Sequence, residues 1–181
     1  MQITINKTAV TILQGDITVQ DTQAIVNAAN SSLMGGGGVD GAIHRAGGYE
    51  ILEHCKRIRK ERGKLPPGNA VITTAGNLPA EFVIHTVGPI WRGGTNKESE
   101  VLRNCYRNVL SLAQKEYIKS ISFSSISTGI YGYPIEKASK IALTTVIEYI
   151  EKHGYFKEIR FVLFSDNDLK IYQETINKLT S

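Results

Sequence analysis

Ala24-Ile25-Val26-Asn27-Ala28-Ala29-Asn30 is followed, after four residues, by Gly35-Gly36-Gly37-Gly38-Val39-Asp40-Gly41-Ala42-Ile43-His44-Arg45-Ala46. The first stretch is short, apolar and β-branched, and polar residues bound it. It reads as a buried strand with Asn30 at its C-terminal end. The second is a run of bare glycines feeding a helix over 39–46, which Gly47-Gly48 stops. Glycine lets the backbone approach a ligand closely. The first amides of a helix lack partners inside it and attract anions. Strand, glycine loop and helix in that order look built to hold a phosphate or diphosphate. Asp40, at the junction, then needs a task of its own, because a carboxylate beside a phosphate is repelled. Binding a sugar hydroxyl or handling a water would supply one.

The same alternation continues along the chain. Ile3 and Ile5, then Val10 and Ile12, alternate with polar neighbours as two early strands. A second helix runs over 49–62, with Ile51, Leu52, Cys55 and Ile58 on one side and Gly63 as its stop. Pro66-Pro67-Gly68 is a turn, and 70–74 and 82–87 are the next strands. Thr95 and Glu98 have the spacing of a capping box. The helix after them carries Val101, Leu102, Cys105, Tyr106, Val109, Leu110 and Ala113 at three- and four-residue steps. A strand over 121–123, a helix from Pro134 to Gly154, a strand over 159–164 and a helix marked by Leu169, Tyr172, Ile176 and Leu179 complete the order. Strands alternating with helices argue for an α/β sandwich with a largely parallel central sheet. Ligands in such folds bind outside the carboxyl ends of the strands. The polar loops after 24–30, 121–123 and 159–164 would share that edge.

The bulk numbers bound the partners. A chain of 181 residues is expected to form one domain, spanning 1–181. Its 41% hydrophobic and 21% charged residues are ordinary for a soluble globular protein. A net charge of +4 suits an anionic ligand without requiring nucleic acid. Lys56-Arg57-Ile58-Arg59-Lys60-Glu61-Arg62-Gly63-Lys64 reads first as a solvated helix face with cations suited to its C-terminal end. Weak nucleic-acid binding is the alternative. Cys55 and Cys105, the two cysteines, take apolar helical positions, which argues for buried packing over zinc or a disulfide. The first seven residues alternate like a strand and lack a signal-peptide core. No apolar run reaches membrane-spanning length. A cytoplasmic setting without a membrane partner is expected.

A second glycine loop, Ser127-Thr128-Gly129-Ile130-Tyr131-Gly132-Tyr133-Pro134, again runs from a strand into a helix. Its hydroxyls and amides can hold phosphate oxygens. Either loop alone is as readily a chain reversal. Together, each after a strand, they suit a diphosphate bridged between them. Neither closes with Gly-Lys-Ser/Thr, and no dinucleotide fingerprint follows the first strand. The Asn27 and Asn30 amides can bond sugar hydroxyls, or serve turn chemistry. Asp16, in Gly15-Asp16-Ile17-Thr18, either accepts from an exocyclic amine such as that of adenine or caps a helix. Phe164 either stacks on a base or packs in the core. His85 reads as a satisfied core residue, and His54 and His153 as surface positions. His44 lies near the glycine loop but lacks a cysteine or serine nucleophile as partner, so it is not cast as a base. No metal-ligand set is evident and no cofactor is expected.

Gly15-Asp16-Ile17-Thr18, Ile25-Val26-Asn27-Ala28-Ala29-Asn30, the stretch from Gly35 through Gly48 and that from Ile126 through Pro134 together closely resemble the macrodomain family, in particular its MacroD-type hydrolases. The likeness spans nearly the whole chain, with the motifs in the family's order. It implies a three-layer α/β/α sandwich with a mixed, mostly parallel sheet and a cleft for ADP-ribose. By that likeness Asp16 contacts adenine beside the Ile17 amide, and Phe164 stacks on the base. Gly35, Gly36, Gly37, Gly38 and Val39, with Ser127, Thr128, Gly129, Ile130, Tyr131 and Gly132, hold the diphosphate. Asn30 and Asp40 address the distal ribose as the catalytic pair, with Asn27 nearby. The implied substrates are O-acetyl-ADP-ribose and mono-ADP-ribosylated proteins esterified at Asp or Glu. The implied water is activated by Asp40, by the substrate's phosphate, or by both. A base of that kind needs its pKa raised by desolvation or by the phosphate. The alternative is a module that reads ADP-ribose without cleaving it. A free-standing monomer is expected.

Overall fold

The computed structural model describes residues 1–181. Seven strands form one sheet: β1 (Gln2–Ile5), β2 (Thr8–Gln14), β3 (Ala24–Ala28), β4 (Ala70–Thr74), β5 (Phe82–Thr86), β6 (Ser120–Phe123) and β7 (Glu158–Leu163). Their spatial order is β1-β2-β7-β6-β3-β5-β4. The strands from β2 to β5 in that order are mutually parallel, and β1 and β4 add antiparallel edges. The helices are α1 (Gly38–Gly47), α2 (Tyr49–Arg62), α3 (Glu98–Lys115), α4 (Ile135–His153) and α5 (Asp166–Thr180). No helix is long and apolar enough to cross a membrane.

Two cores sandwich the sheet. A cluster of 27 buried residues joins it to α3, α4 and α5, through residues such as Leu102, Tyr106, Leu143, Ile150 and Tyr172. A cluster of 15 joins its other face to α1 and α2, through Ile43, Ile51 and Cys55. The strand period of two sorts the side chains. On β3, Ala24 and Val26 face the larger core, and Ile25 faces the smaller one. Asn27 shares the parity of Ile25 and so lies under α1. The three-layer α/β/α architecture expected from sequence is the one found. Gly63 and Gly154 stop α2 and α4 at φ 78° and 56°, and their amides donate to Arg59 O and Ile150 O. The capping box does not form. Lys97, at φ 60°, precedes α3 with no side-chain cap. The buried Glu98 carboxylate instead accepts from the amides of Arg92 (2.9 Å), Gly94 (3.2 Å) and Asn96 (2.8 Å). The loop wraps these amides around the carboxylate, which is then not available to cap Thr95.

β3 and β6 are neighbours in the sheet. The chain leaves β3 toward α1 on one face and returns from β6 into α4 on the other. Divergence of adjacent parallel strands opens a crevice at their carboxyl ends.

Candidate functional site

The loop after β3 is held open by its own glycines. Gly35 and Gly38 take φ of 86° and 58°, which side-chain-bearing residues rarely adopt. The first amide of this segment with a main-chain acceptor is Gly41, which donates to Gly37 O at 3.2 Å. The amides from Gly35 to Asp40 have no main-chain acceptor, and α1 adds the positive end of its dipole. In the loop after β6, Gly132 N donates to Gly129 O and Tyr133 N to Ser127 O, both at 2.9 Å. Thr128, Gly129, Ile130 and Tyr131 keep their amides free of main-chain acceptors. The two loops face each other: a Cβ on Gly37 would come within 4.0 Å of Ile130 Cδ1. Ile130 and Phe164 are 90% and 92% exposed, apolar side chains left in solvent on the rim.

Asp40 sits at the inner end of the crevice. It is 5% exposed, in the first turn of α1. Its Oδ1 accepts from Asn27 Nδ2 at 2.7 Å and lies 3.3 Å from His44 Nε2, one helical turn on. Its Oδ2 accepts no hydrogen bond. A Cβ on Gly36 would lie 3.2 Å from both Asp40 Oδ2 and Asn30 Nδ2, so Gly36 brings these two side chains together. Asn30 is fixed from the other side, donating to Gly35 O at 2.9 Å and accepting from Ser32 Oγ. Burial acts to raise the Asp40 carboxyl, but hydrogen bonds from His44 and Asn27 outweigh it and hold its pKa below the usual carboxylate value.

Comparison with known proteins decides the family. The macro domain family matches residues 26–142. The chain belongs to the macro domain family. An O-acetyl-ADP-ribose deacetylase of Escherichia fergusonii is 51% identical over 95% of the chain and 97% of its own length. The solved structure of the Oceanobacillus iheyensis macrodomain mutant G37V with ADPR superposes with a TM-score of 0.96. It is 48% identical and covers 99% of this chain and 98% of that one. The structure of the Oceanobacillus iheyensis macrodomain with ADP has the same TM-score at 49% identity, covering 99% and 96%.

Within this macro domain the glycine loop, Asn30, Asp40, Phe164 and the β6 loop meet at one sheet edge, as expected from sequence. Asp16 serves as a cap: its Oδ1 accepts from Thr18 N (2.8 Å) and Thr18 Oγ1 (2.7 Å). Its Oδ2 is free and the residue exposed, and the Ile17 amide beside it has no main-chain acceptor. Four expectations change. Asn27 is 0% exposed and lies behind Asp40, because strand parity turns it under α1; it does not face a ligand. The Ser127 hydroxyl is enclosed and unpartnered, packed against Gly88. Thr128 Oγ1 spends its hydrogen on Ser125 O at 3.0 Å. The loop therefore offers amides to an anion, not these two hydroxyls. His54 is half-buried, and its Nδ1 accepts from the Thr74 amide at 3.1 Å.

His44 is the residue that the sequence reading passed over. The signal was the i, i+4 spacing of Asp40 and His44 on one helix. The basic stretch is dispersed by the fold. Lys56 pairs with Glu53 at 2.9 Å, and Arg59 Nη1 donates to Ser32 O at 2.9 Å. Arg62 and Lys64 join Lys115 around a separate groove of about 470 Å³ beside β4. Cys55 and Cys105 are buried free thiols, each pushed up to about 11 by burial.

Proposed function

We propose that this macro domain hydrolyses esters at the distal ribose of ADP-ribose. It removes acetate from O-acetyl-ADP-ribose and frees the Asp or Glu side chains of mono-ADP-ribosylated proteins. The observation that carries this reading is Asp40. A module that only holds ADP-ribose gains nothing from a buried carboxylate near two bound phosphates, where like charges repel. Here that carboxylate is anchored through Oδ1 and keeps Oδ2 unpaired beside Gly36 and Asn30. The deacetylase name of the Escherichia fergusonii relative supports the same chemistry.

The free amides of the two loops take the diphosphate. Phe164 and the Asp16-Ile17 corner take the adenosine end, and the distal ribose lies against Asn30 and Asp40. A water oxygen bonds to the acyl carbon, and the acyl–ribose C–O bond breaks. The ribose oxygen leaves with a proton that came from the water. Asp40, with its pKa held low, is ionised at neutral pH and is a good acceptor but a weak base. It orients the ribose hydroxyl or the water, and the substrate's own phosphate relays the proton. Catalysis rests on placement and electrostatics.

Calorimetry with ADP-ribose, paired with acetate release from O-acetyl-ADP-ribose, tests this on wild type, Asp40→Ala and Asn30→Ala. Turnover of Asp40→Ala should fall by about 100- to 10,000-fold, while ADP-ribose affinity changes far less. A wild type that binds ADP-ribose, yet releases no acetate and leaves an automodified protein labelled, is a reader.

A further inference from the structure

Beneath α1 and α2 the sheet carries a row of buried polar side chains with no task in ester hydrolysis. Thr73 on β4, His85 on β5 and Asn27 on β3 share parity with Val71, Val83 and Ile25 of the smaller core, and none is more than 1% exposed. Asn27 and His85 are register partners on parallel strands. The hydrogens in this row can run in only one direction. The Asp40 end sets it: the carboxylate oxygen can only accept, so Asn27 turns Nδ2 toward Asp40 Oδ1. That same nitrogen stands 3.0 Å from His85 Nδ1, which must accept. At the other end Nε2 lies 2.8 Å from Thr73 Oγ1, whose own hydrogen has the Thr74 carbonyl at 2.9 Å, and 3.9 Å from Cys55 Sγ. His85 therefore carries its proton on Nε2 and presents a bare Nδ1. Burial keeps the ring neutral, with its pKa pushed down to about 3. Nδ1 takes one hydrogen of Asn27 Nδ2 at 3.0 Å, and the other goes to Asp40 Oδ1 at 2.7 Å. Turning the Asn27 amide over would set its oxygen against two acceptors at once. The Asn27 oxygen is meanwhile buried without a partner, so this orientation is kept although half of the amide goes unsatisfied.

We propose that His85 is a positioning residue for Asp40, acting through the Asn27 amide, with Thr73 accepting the Nε2 proton of the tautomer that makes this possible. The inference rests on the reading of Asp40 as the group that faces the distal ribose. With the proton moved to Nδ1, Asn27 would turn its oxygen toward the ring and withdraw its hydrogen from Asp40. The carboxylate would lose the shorter of the two contacts that anchor Oδ1 and keep only His44, at 3.3 Å.

The test compares His85→Asn with His85→Leu. Both side chains branch at Cγ, but the Asn oxygen can stand where Nδ1 accepts from Asn27, and Leu cannot accept. Three quantities are read: the ring tautomer of wild-type His85 by ¹⁵N NMR, the Asp40 carboxyl titration by ¹³C NMR, and steady-state turnover beside ADP-ribose affinity. The expected results are a proton on Nε2 and an Asp40 pKa that rises in His85→Leu but not in His85→Asn. Turnover should drop by about 10- to 100-fold in the Leu variant with affinity little changed, and recover most of that loss in the Asn variant. If the Leu variant does not fold, Thr73→Val removes the acceptor at Nε2 with little change of shape and should likewise raise the Asp40 pKa. A wild-type proton on Nδ1, or equal loss in the Asn and Leu variants, overturns the proposal. The spectra need no substrate. They decide the positioning role even where wild type releases no acetate, a result that would sink only the ester-hydrolysis reading.

Discussion

Burial pushes the pKa of His85 down to about 3, so the folded chain refuses a proton that the unfolded chain accepts near pH 6.5. The unfolded state then binds more protons across that window, and stability falls as pH drops through it. Integrated between pH 7 and pH 5, the effect is about 2 kcal/mol for this one ring. Denaturant unfolding at the two pH values should show it. Wild type should lose about 2 kcal/mol more than His85→Leu over that interval, and parallel losses would show that the ring is not held neutral. Asp40 has the same sign in a lower window. Its folded pKa lies below the ordinary carboxylate value, so its contribution is complete above about pH 4 and is lost as pH falls through the folded value. The two residues touch the same Asn27 amide, yet their acid responses occupy separate windows and can be measured apart.

Three glycines in and beside the loop that opens α1 differ in what a side chain would meet. A Cβ on Gly37 finds only Ile130 Cδ1, at 4.0 Å, and its φ of −94° is ordinary. Gly37→Val should fold and keep ADP-ribose, because the added Cβ presses on nothing. A Cβ on Gly36 would instead press Asn30 Nδ2 and Asp40 Oδ2 at 3.2 Å each. Gly36→Val should therefore lower turnover by about tenfold or more with the fold intact, and similar kinetics for the two valine variants would remove that distinction. Gly41→Ala is a different case. Its Cβ would fall 2.5 Å from the Gly36 carbonyl, which is main chain and cannot swing aside. A loss of about 1–3 kcal/mol in denaturant unfolding is expected from such overpacking. Elements of this kind show what was legible in advance. Hydrophobic period and glycine stops placed β3, α1 and α2, because those signals are local and repeat along the chain. The loop after β6 was legible as a loop, but the inward turn of Ser127 and the bond from Thr128 to Ser125 depend on Gly88 and on the path of the chain, which no local pattern encodes. Asn27 and Asn30 flank Ala28-Ala29 at one strand end, so both amides read alike as partners for sugar hydroxyls. Strand parity, applied one residue further, would have placed Asn27 under α1.

On the scale of the whole molecule, the sheet order makes the crevice. β6 and β3 lie side by side, yet they launch α4 and α1 into opposite layers, and the smaller and larger cores anchor those helices independently. A diphosphate held by amides of both loops would tie the two layers together across the sheet edge. Binding to the folded state alone stabilises it by about 2.7 kcal/mol at a ligand concentration 100 times Kd. The distribution of that gain carries more information than its size. Hydrogen exchange with and without saturating ADP-ribose should slow the amides of 35–40 and of 128–131 together, with Ile17 following. The groove beside β4, lined by Arg62, Lys64 and Lys115, should not change. Protection confined to one loop would mean that the second is only a turn. Protection in the basic groove would move the anion site to the far side of α2, away from Asp40. Joint protection in Asp40→Ala as well would separate the grip on the diphosphate from the chemistry at the ribose, because the amides that bind are main chain and the carboxylate adds nothing to their hold.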